Sequence, residues 1–501
     1  MTNVLAARRA GVLLHPTSLP GAGPNGTIGG EAWKFVDWLA AGGFSVWQTL
    51  PIGPVDSYSS PYCQRSTYAG FPRLLDAAHL ESLRELPRGV DLAAAGVARD
   101  DAYRSFASAA QPKHWHAFAD FVRRDRRRLL SFGLFELCSA RFAGAPWWEW
   151  PASFRDRKRA DLLEALAEDK SAFRAIVFEQ YLFDLEWTAL KRYANDRGVY
   201  LFGDVPFYVD QNSVDVWSSR ELFALDENGR PREVAGVPPD YFNEEGQLWG
   251  NPLYDWDAME RRGFDWWLAR IAAQLERFDL VRIDHFRALE SYWAVPAGAK
   301  TAREGEWRKG RGAELLAALR AKHGDLPLVA EDLGIITDEV RALRDRFELP
   351  RMVVAQFAFD GRADNPHLPR NHVRNCVAYT GTHDNDTTVG WYAGLDAQAR
   401  ESVWRALDLD AEPAVPEFLI DAVYDSAAQL AVIPMQDLLG LGSESRMNVP
   451  GRAAGNWGWR FDWSHVDADL VARSRARAER SGRLVAREQG ALEDRGARDA
   501  V

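Results

Sequence analysis

Long apolar runs are missing from this chain of 501 residues. No uninterrupted hydrophobic stretch approaches the ~20 residues that cross a bilayer, so no membrane partner is expected. Cysteine is scarce: Cys63, Cys138 and Cys376 are odd in number and far apart, with no CxxC pair. A disulfide framework or zinc-finger-type site is therefore not expected, and a reducing compartment is. Positive charge is not in excess. With 61 Lys+Arg against 72 Asp+Glu the formal charge is −11, which argues against nucleic acid or an anionic membrane surface as partner. The apolar run at residues 11–14 stops at His15-Pro16, too short for a signal-peptide core, and the expectation is a cytoplasmic protein. Repeats of 20 to 50 residues and low-complexity linkers are absent too. What the chain does have is ordinary globular composition, 47% hydrophobic and 27% charged, and 20 tryptophans. Aromatic faces of that kind either fill core and rim or stack on the C–H faces of sugars.

Eight short β-rich runs read as buried parallel strands: residues 11–15, 46–50, 199–204, 280–284, 327–331, 352–356, 376–380 and 430–434. Helical patterns lie between several of them. Phe178, Tyr181, Leu182 and Leu185 precede the third, Trp267, Ile271, Leu275 and Phe278 the fourth, and Val340, Leu343 and Phe347 the sixth. The alternation predicts an α/β fold, a (β/α)8 TIM barrel. About 150 residues separate strands two and three, and about 75 separate three and four. These gaps are too long for plain crossovers, so inserted subdomains are expected, a mainly helical one at residues 62–172 and a loop-rich one at 207–265. The basic cluster Arg123, Arg124, Arg126, Arg127 and Arg128 in the first reads as a solvated helix face. The catalytic barrel would run over residues 1–475, with 476–501 a charged tail or surface helix.

In such a barrel, chemistry sits at the C-terminal ends of the strands. Those ends carry Asp204, Arg282 with Asp284 and His285, Glu331, and His383 with Asp384. Arg282 and Asp284 point to one side of their strand, and the cation favours an ionised Asp284, as a nucleophile needs. Glu331 follows Leu328, Val329 and Ala330, and a carboxyl group in apolar surroundings near another keeps its proton and serves as an acid. One anionic and one protonated carboxyl, about 5 to 5.5 Å apart, are the equipment of a retaining glycosidase or glycosyl transferase. Asp384 would stabilise an oxocarbenium-like charge. The same residues allow a rival constellation in which His15, Asp204, His285, His383 and Asp384 bind zinc or a metal pair. Two features weaken it: there is no HExxH, and His285 alternates away from Asp284.

Longer stretches carry a resemblance. Residues 14–20 (LHPTSLP), 236–242 (GVPPDYF), 246–254 (GQLWGNPLY), 282–286 (RIDHF), 330–334 (AEDLG), 379–385 (YTGTHDN) and 446–448 (RMN) are similar to the amylomaltases, the 4-α-glucanotransferases of glycoside hydrolase family 77. The resemblance implies Asp284 as nucleophile, Glu331 as general acid/base and Asp384 as transition-state stabiliser. It implies that Arg282, His285 and His383, supported by Asp204, hold the nucleophile and the hydroxyls of the −1 glucose, with Tyr62 stacking there. Gln247, Trp249 and Asn251 would line the acceptor side from a loop, and Asn448 and Asn456 would come from the loop after strand eight. The implied partners are maltooligosaccharides, amylose or starch-derived glucans; no metal or organic cofactor is implied. Cys63, Phe71, Arg351 and Arg452 stand where the family usually has Gln, Asn, Gly and Thr, and Cys63 and Phe71 are expected near the donor subsites. An outer glucan site would depend on residues 55–59, which include Tyr58. A retaining α-glucan hydrolase on the same barrel is the alternative activity, and a catalytically dead glucan-binding protein is argued against by the three intact carboxyls.

Overall fold

Strands apolar on both faces must be covered on both, which a closed parallel barrel ringed by helices achieves. The computed structural model describes residues 3–55, 60–92, 99–239, 244–410, 412–452, 454–466 and 468–485. In it β1 (Arg9–Leu13), β2 (Val46–Gln48), β3 (Tyr200–Val205), β4 (Leu280–Ile283), β5 (Leu328–Ala330), β6 (Arg351–Val354), β7 (Cys376–Tyr379) and β8 (Leu430–Pro434) form one closed barrel in chain order. Val12 of β1 faces both Trp47 of β2 and Ile433 of β8, which closes the ring. Each expected strand is present within a residue or two. Leu13, Val46, Phe202, Leu280, Val329, Met352, Val377 and Val432 pack together as one buried cluster, while their neighbours along the strands pack in a second, larger one with the helices. Gly203 permits a close approach: a Cβ there would lie 2.3 Å from the Phe278 ring.

The anticipated helices bury the anticipated stripes. Helix Lys170–Asp196 covers Phe178, Tyr181 and Leu182, Asp265–Arg277 covers Trp267, Ile271 and Leu275, and Asp338–Arg346 covers Val340 and Leu343. One return departs from the pattern. Between β6 and β7 the chain makes only the 3-10 turns Ala355–Phe357 and Pro369–Asn371, because Gly361, Pro366 and Pro369 interrupt any helical run.

The region expected to be loop-rich differs more. It contributes strands Glu233–Val237 and Gln247–Pro252 to a four-stranded antiparallel sheet, completed by Ser291–Pro296 and Glu306–Lys309 from beyond β4. Gly246, Gly250 and Pro252 blur the alternation, and the pairing partner is remote in sequence, so the strands carry little local signal. At the other end of the chain, helix Ala468–Arg480 starts before the expected boundary at residue 476 and buries Leu470, Ser474 and Ala478. The Arg483 guanidinium beyond it donates to the carbonyls of Tyr424, Ser426 and Arg9. The tail from residue 486 onward, Tyr58 with residues 56–59, and Tyr241-Phe242 lie outside the described residues. Among the described residues no helix is long and apolar enough to cross a membrane.

Candidate active site

Parallel strands deliver their C-terminal residues to one end of a barrel. A cleft of about 3300 Å³, measured out to its open mouth, lies there and is lined by Arg282, Asp284, His285, Glu331, His383 and Asp384. Arg282 Nη2 lies 2.7 Å from Asp284 Oδ1, and its Nη1 lies 2.7 Å from Asp204 Oδ2. Asp204 itself is buried behind Arg282 and is not part of the cleft wall. It also accepts a 2.7 Å hydrogen bond from the Tyr62 hydroxyl, so it acts on the cleft through Arg282 and Tyr62. Tyr62 stacks on His383, with ring centroids 5.3 Å apart, and its oxygen lies 3.0 Å from His383 Nε2. With the phenol proton directed at Asp204, the neutral imidazole supplies the Nε2–H that the phenol oxygen accepts.

His285 does not alternate away from the site as a continuing strand would place it. The strand ends at Ile283, and His285 takes a left-handed conformation, φ 52°. That turn sends its backbone N–H to Glu331 Oε2 at 2.6 Å and sets its ring against Trp249, centroids 4.7 Å apart, in the cleft wall. Leu333 N–H donates to the other Glu331 oxygen at 3.0 Å.

One guanidinium, that of Arg282, stands among three carboxyl groups here, paired with Asp204 and Asp284 and near Glu331. Burial pushes the Asp284 carboxyl up to about 8 against the pull of Arg282, with Asp204 and Glu331 adding to the rise. Burial raises Glu331 as well, although Arg282 and the two backbone N–H groups favour its anion. No imidazolium makes up the deficit, because burial lowers His285 to about 3 and lowers His383 too. The reading of Asp284 as simply ionised by its neighbouring cation is therefore incomplete: Arg282 is divided between Asp204 and Asp284, and the Asp284–Glu331 pair keeps a proton between them. On the alkaline side, kcat/KM is expected to fall about tenfold per pH unit once the pH passes about 8, as that proton is lost. A pH profile of initial rates checks this, and a rate that holds flat two units higher would contradict it.

Asp384 is half-exposed at the cleft and accepts from Asn448 Nδ2 at 2.7 Å. Arg446 Nη2 donates to the Asp384 carbonyl at 3.0 Å. The turn carrying His383 and Asp384 is stapled from below by a residue the sequence did not single out. Buried Asp437 accepts from the hydroxyls of Thr380 and Thr388 at 2.6 and 2.7 Å. Gln247, Trp249 and Asn251 line the cleft, from a strand rather than a loop. Asn251 Nδ2 donates to the Val209 carbonyl, and Trp249 Nε1 donates to Gln247 Oε1 at 3.1 Å, leaving the indole 38% exposed. Asn456 is not in this cleft. It braces its loop through Val449 N–H and the Arg452 carbonyl and lines a neighbouring cavity, as Phe71 does, whereas Cys63 lines the cleft. Arg351 opens β6, at the far end of the barrel from the cleft.

His15 turns its ring nitrogens to Thr17 Oγ1, at 2.6 Å, and to the Pro51 carbonyl, at 3.2 Å. Among the described residues no group of three or more His, Cys, Asp or Glu side chains is placed to hold a metal ion. Aromatic rings that sequence reasoning passed over also line the cleft: Tyr208, Phe357, Phe359, Trp391 and Trp457. Phe357 sits three residues beyond the end of β6, in the 3-10 turn Ala355–Phe357.

A parallel barrel whose C-terminal mouth joins carboxyl groups to a wall of aromatic rings defines a carbohydrate-active barrel enzyme. The profile of glycoside hydrolase family 77, described as 4-alpha-glucanotransferase, matches residues 14–465. A 4-alpha-glucanotransferase of Thermus thermophilus is 46% identical over 95% of this chain and 99% of its own, and one of Synechocystis is 43% identical over 91% of this chain and 94% of its own. Among solved structures, an amylomaltase from Streptococcus agalactiae in complex with acarbose is 32% identical, with a TM-score of 0.89 over 95% of this chain and 99% of that one. The chain belongs to the 4-α-glucanotransferases of glycoside hydrolase family 77, and its activity is glucan transfer.

Proposed function

We propose that the chain moves a 4-α-glucanosyl segment from one maltooligosaccharide, amylose or starch-derived glucan to the 4-hydroxyl of another glucose or glucan, retaining the α-anomer through two displacements. Asp284 attacks the anomeric carbon while Glu331 protonates the departing glycosidic oxygen, so one C–O bond breaks as the glycosyl ester on Asp284 forms. The acceptor's 4-hydroxyl then gives its proton to Glu331 and displaces Asp284. Asp384, presented by Asn448, stabilises the positive charge between the two steps. Tyr62, Arg282, His285 and His383 hold the −1 glucose, and Asp204 fixes Tyr62 and Arg282 for that task. The observation that carries this reading is the single cation Arg282 among Asp204, Asp284 and Glu331. It favours one carboxylate and one carboxylic acid at neutral pH, which is the division of labour the two steps need. We place the enzyme in the cytoplasm, in keeping with a sequence that has only three cysteines, far apart.

Transfer requires that water, at about 55 M, loses to a sugar as acceptor of the ester. Trp249, an exposed indole against His285, offers a surface that sheds water and stacks on an incoming glucose. Maltotriose is therefore expected to give glucose plus longer oligomers. The Trp249→Ala variant should release several-fold more reducing ends by net hydrolysis per transfer event. Product chromatography decides: glucose and maltose alone from the wild type would mark a hydrolase, and an unchanged ratio in a folded variant would remove Trp249 from water exclusion.

A further inference from the structure

The helical segment after β2 leaves another cavity against the barrel helices, of about 1160 Å³ measured out to its mouth, which shares no lining residue with the glucan cleft. Its walls come from helices Pro112–Arg124, Arg126–Arg141, Lys170–Asp196 and Asp265–Arg277. Phe121, Leu129, Phe132, Phe183 and Trp187 give it an apolar floor. Two members of the basic cluster, Arg124 and Arg128, stand on its rim rather than on a wholly solvated face, with Lys191 and Arg277.

Three of these four cations are matched. Arg124 pairs with Asp125 and Asp184 at 2.9 Å each, Arg128 with Asp125 at 3.6 Å, and Lys191 with Asp279 at 3.4 Å. Arg277 is different. Among the described residues it forms no ion pair; its guanidinium donates to the carbonyls of Tyr68 and Ala69 and lies over the Phe183 ring, 5.4 Å from the centroid. Burial lowers it only to about 10, so it stays charged at neutral pH. A guanidinium with no direct ion pair among the described residues, acted on by Asp125, Asp184 and Glu276 only from beyond contact, at the edge of an aromatic floor favours an anion that brings its own apolar body, since the anion supplies a close counter-charge and the body excludes water from the contact.

We propose that this cavity is a binding site for a small amphipathic anion, with a carboxylate, sulfonate or phosphate head on Arg277 and a flat apolar body on Phe121, Phe132 and Phe183. The site is independent of the glucan cleft and of the roles assigned to residues there.

The probe is 8-anilino-1-naphthalenesulfonate, followed by fluorescence and calorimetry on the full chain. Saturable binding of one equivalent is expected, undisturbed by saturating maltoheptaose. The neutral relative N-phenyl-1-naphthylamine should bind at least about tenfold more weakly. Arg277→Met keeps a chain over Phe183 and should weaken the probe about tenfold or more, while Arg277→Lys should recover most of the loss. Thr188→Trp, at the exposed mouth, blocks entry without touching Arg277 and should abolish binding, so the test stands even if the Arg277 variants fold poorly. Displacement by phenyl phosphate or by 4-phenylbutyrate identifies the preferred head. Displacement by neither overturns the proposal. So does competition by maltoheptaose, equal binding of the neutral dye, or undiminished binding to the Thr188→Trp variant.

Discussion

Asp284→Asn is expected to lower the rate of maltotriose disproportionation by about 10⁴-fold or more, since an amide cannot form the glycosyl ester. The fold should survive. The substituted amide is neutral at a position where burial already opposes the charge, and Arg282 would keep its partner Asp204 at 2.7 Å. Circular dichroism and a thermal melt separate the two effects: wild-type-like folding with lost activity is the expected pair of results. A purified, folded variant within tenfold of wild type would remove Asp284 from the nucleophile's role.

The second large effect falls on Glu331. Removing the acid should cost about 10²- to 10⁴-fold with ordinary glucans, whose glycosidic oxygen must be protonated to leave. It should cost far less in the glycosylation step with α-maltosyl fluoride, whose leaving group needs no proton. Alanine is the cleaner replacement. Glu331 accepts a backbone N–H at each oxygen, from His285 and Leu333, and the amide introduced by Glu331→Gln would turn an NH2 toward one of those donors, disturbing the left-handed turn as well as the proton. Single-turnover rates on both substrates are the measurement; equal losses on both would count against an acid/base role.

How far the residues could be read before folding follows from the range of each signal. The barrel strands were legible because each is a short apolar run punctuated by polar residues, a signal contained within five or six positions. Glu331, Asp284 and Asp384 were legible as strand-end carboxyls for the same reason. Residues placed by remote partners were not. The strand carrying Trp249 owes its existence to pairing with residues 233–237, themselves paired with 291–296. Asp437 contributes through two threonines of a different strand and helix. His285 misled because alternation holds only while the strand does, and nothing local announces that it stops at Ile283. Asp204 and Asn456 show a further limit. A polar residue near a strand end or in a site loop can brace the wall from behind, and which side it takes depends on packing that the sequence does not spell out.

The cleft wall that carries Trp249 is a strand, and this sets how the enthalpy and entropy of glucan capture divide. A loop that closed over the sugar would lose backbone freedom at each encounter, on the order of 1 kcal/mol per residue fixed. Residues Gln247–Pro252 have already given up that freedom to the antiparallel sheet during folding. An arriving glucan therefore meets a surface whose disorder was spent once, when the chain folded, and it need restrain only side chains such as the Trp249 indole. Catch and release can then be repeated at every transfer without melting and rebuilding the wall, as suits an enzyme whose product is also its next substrate.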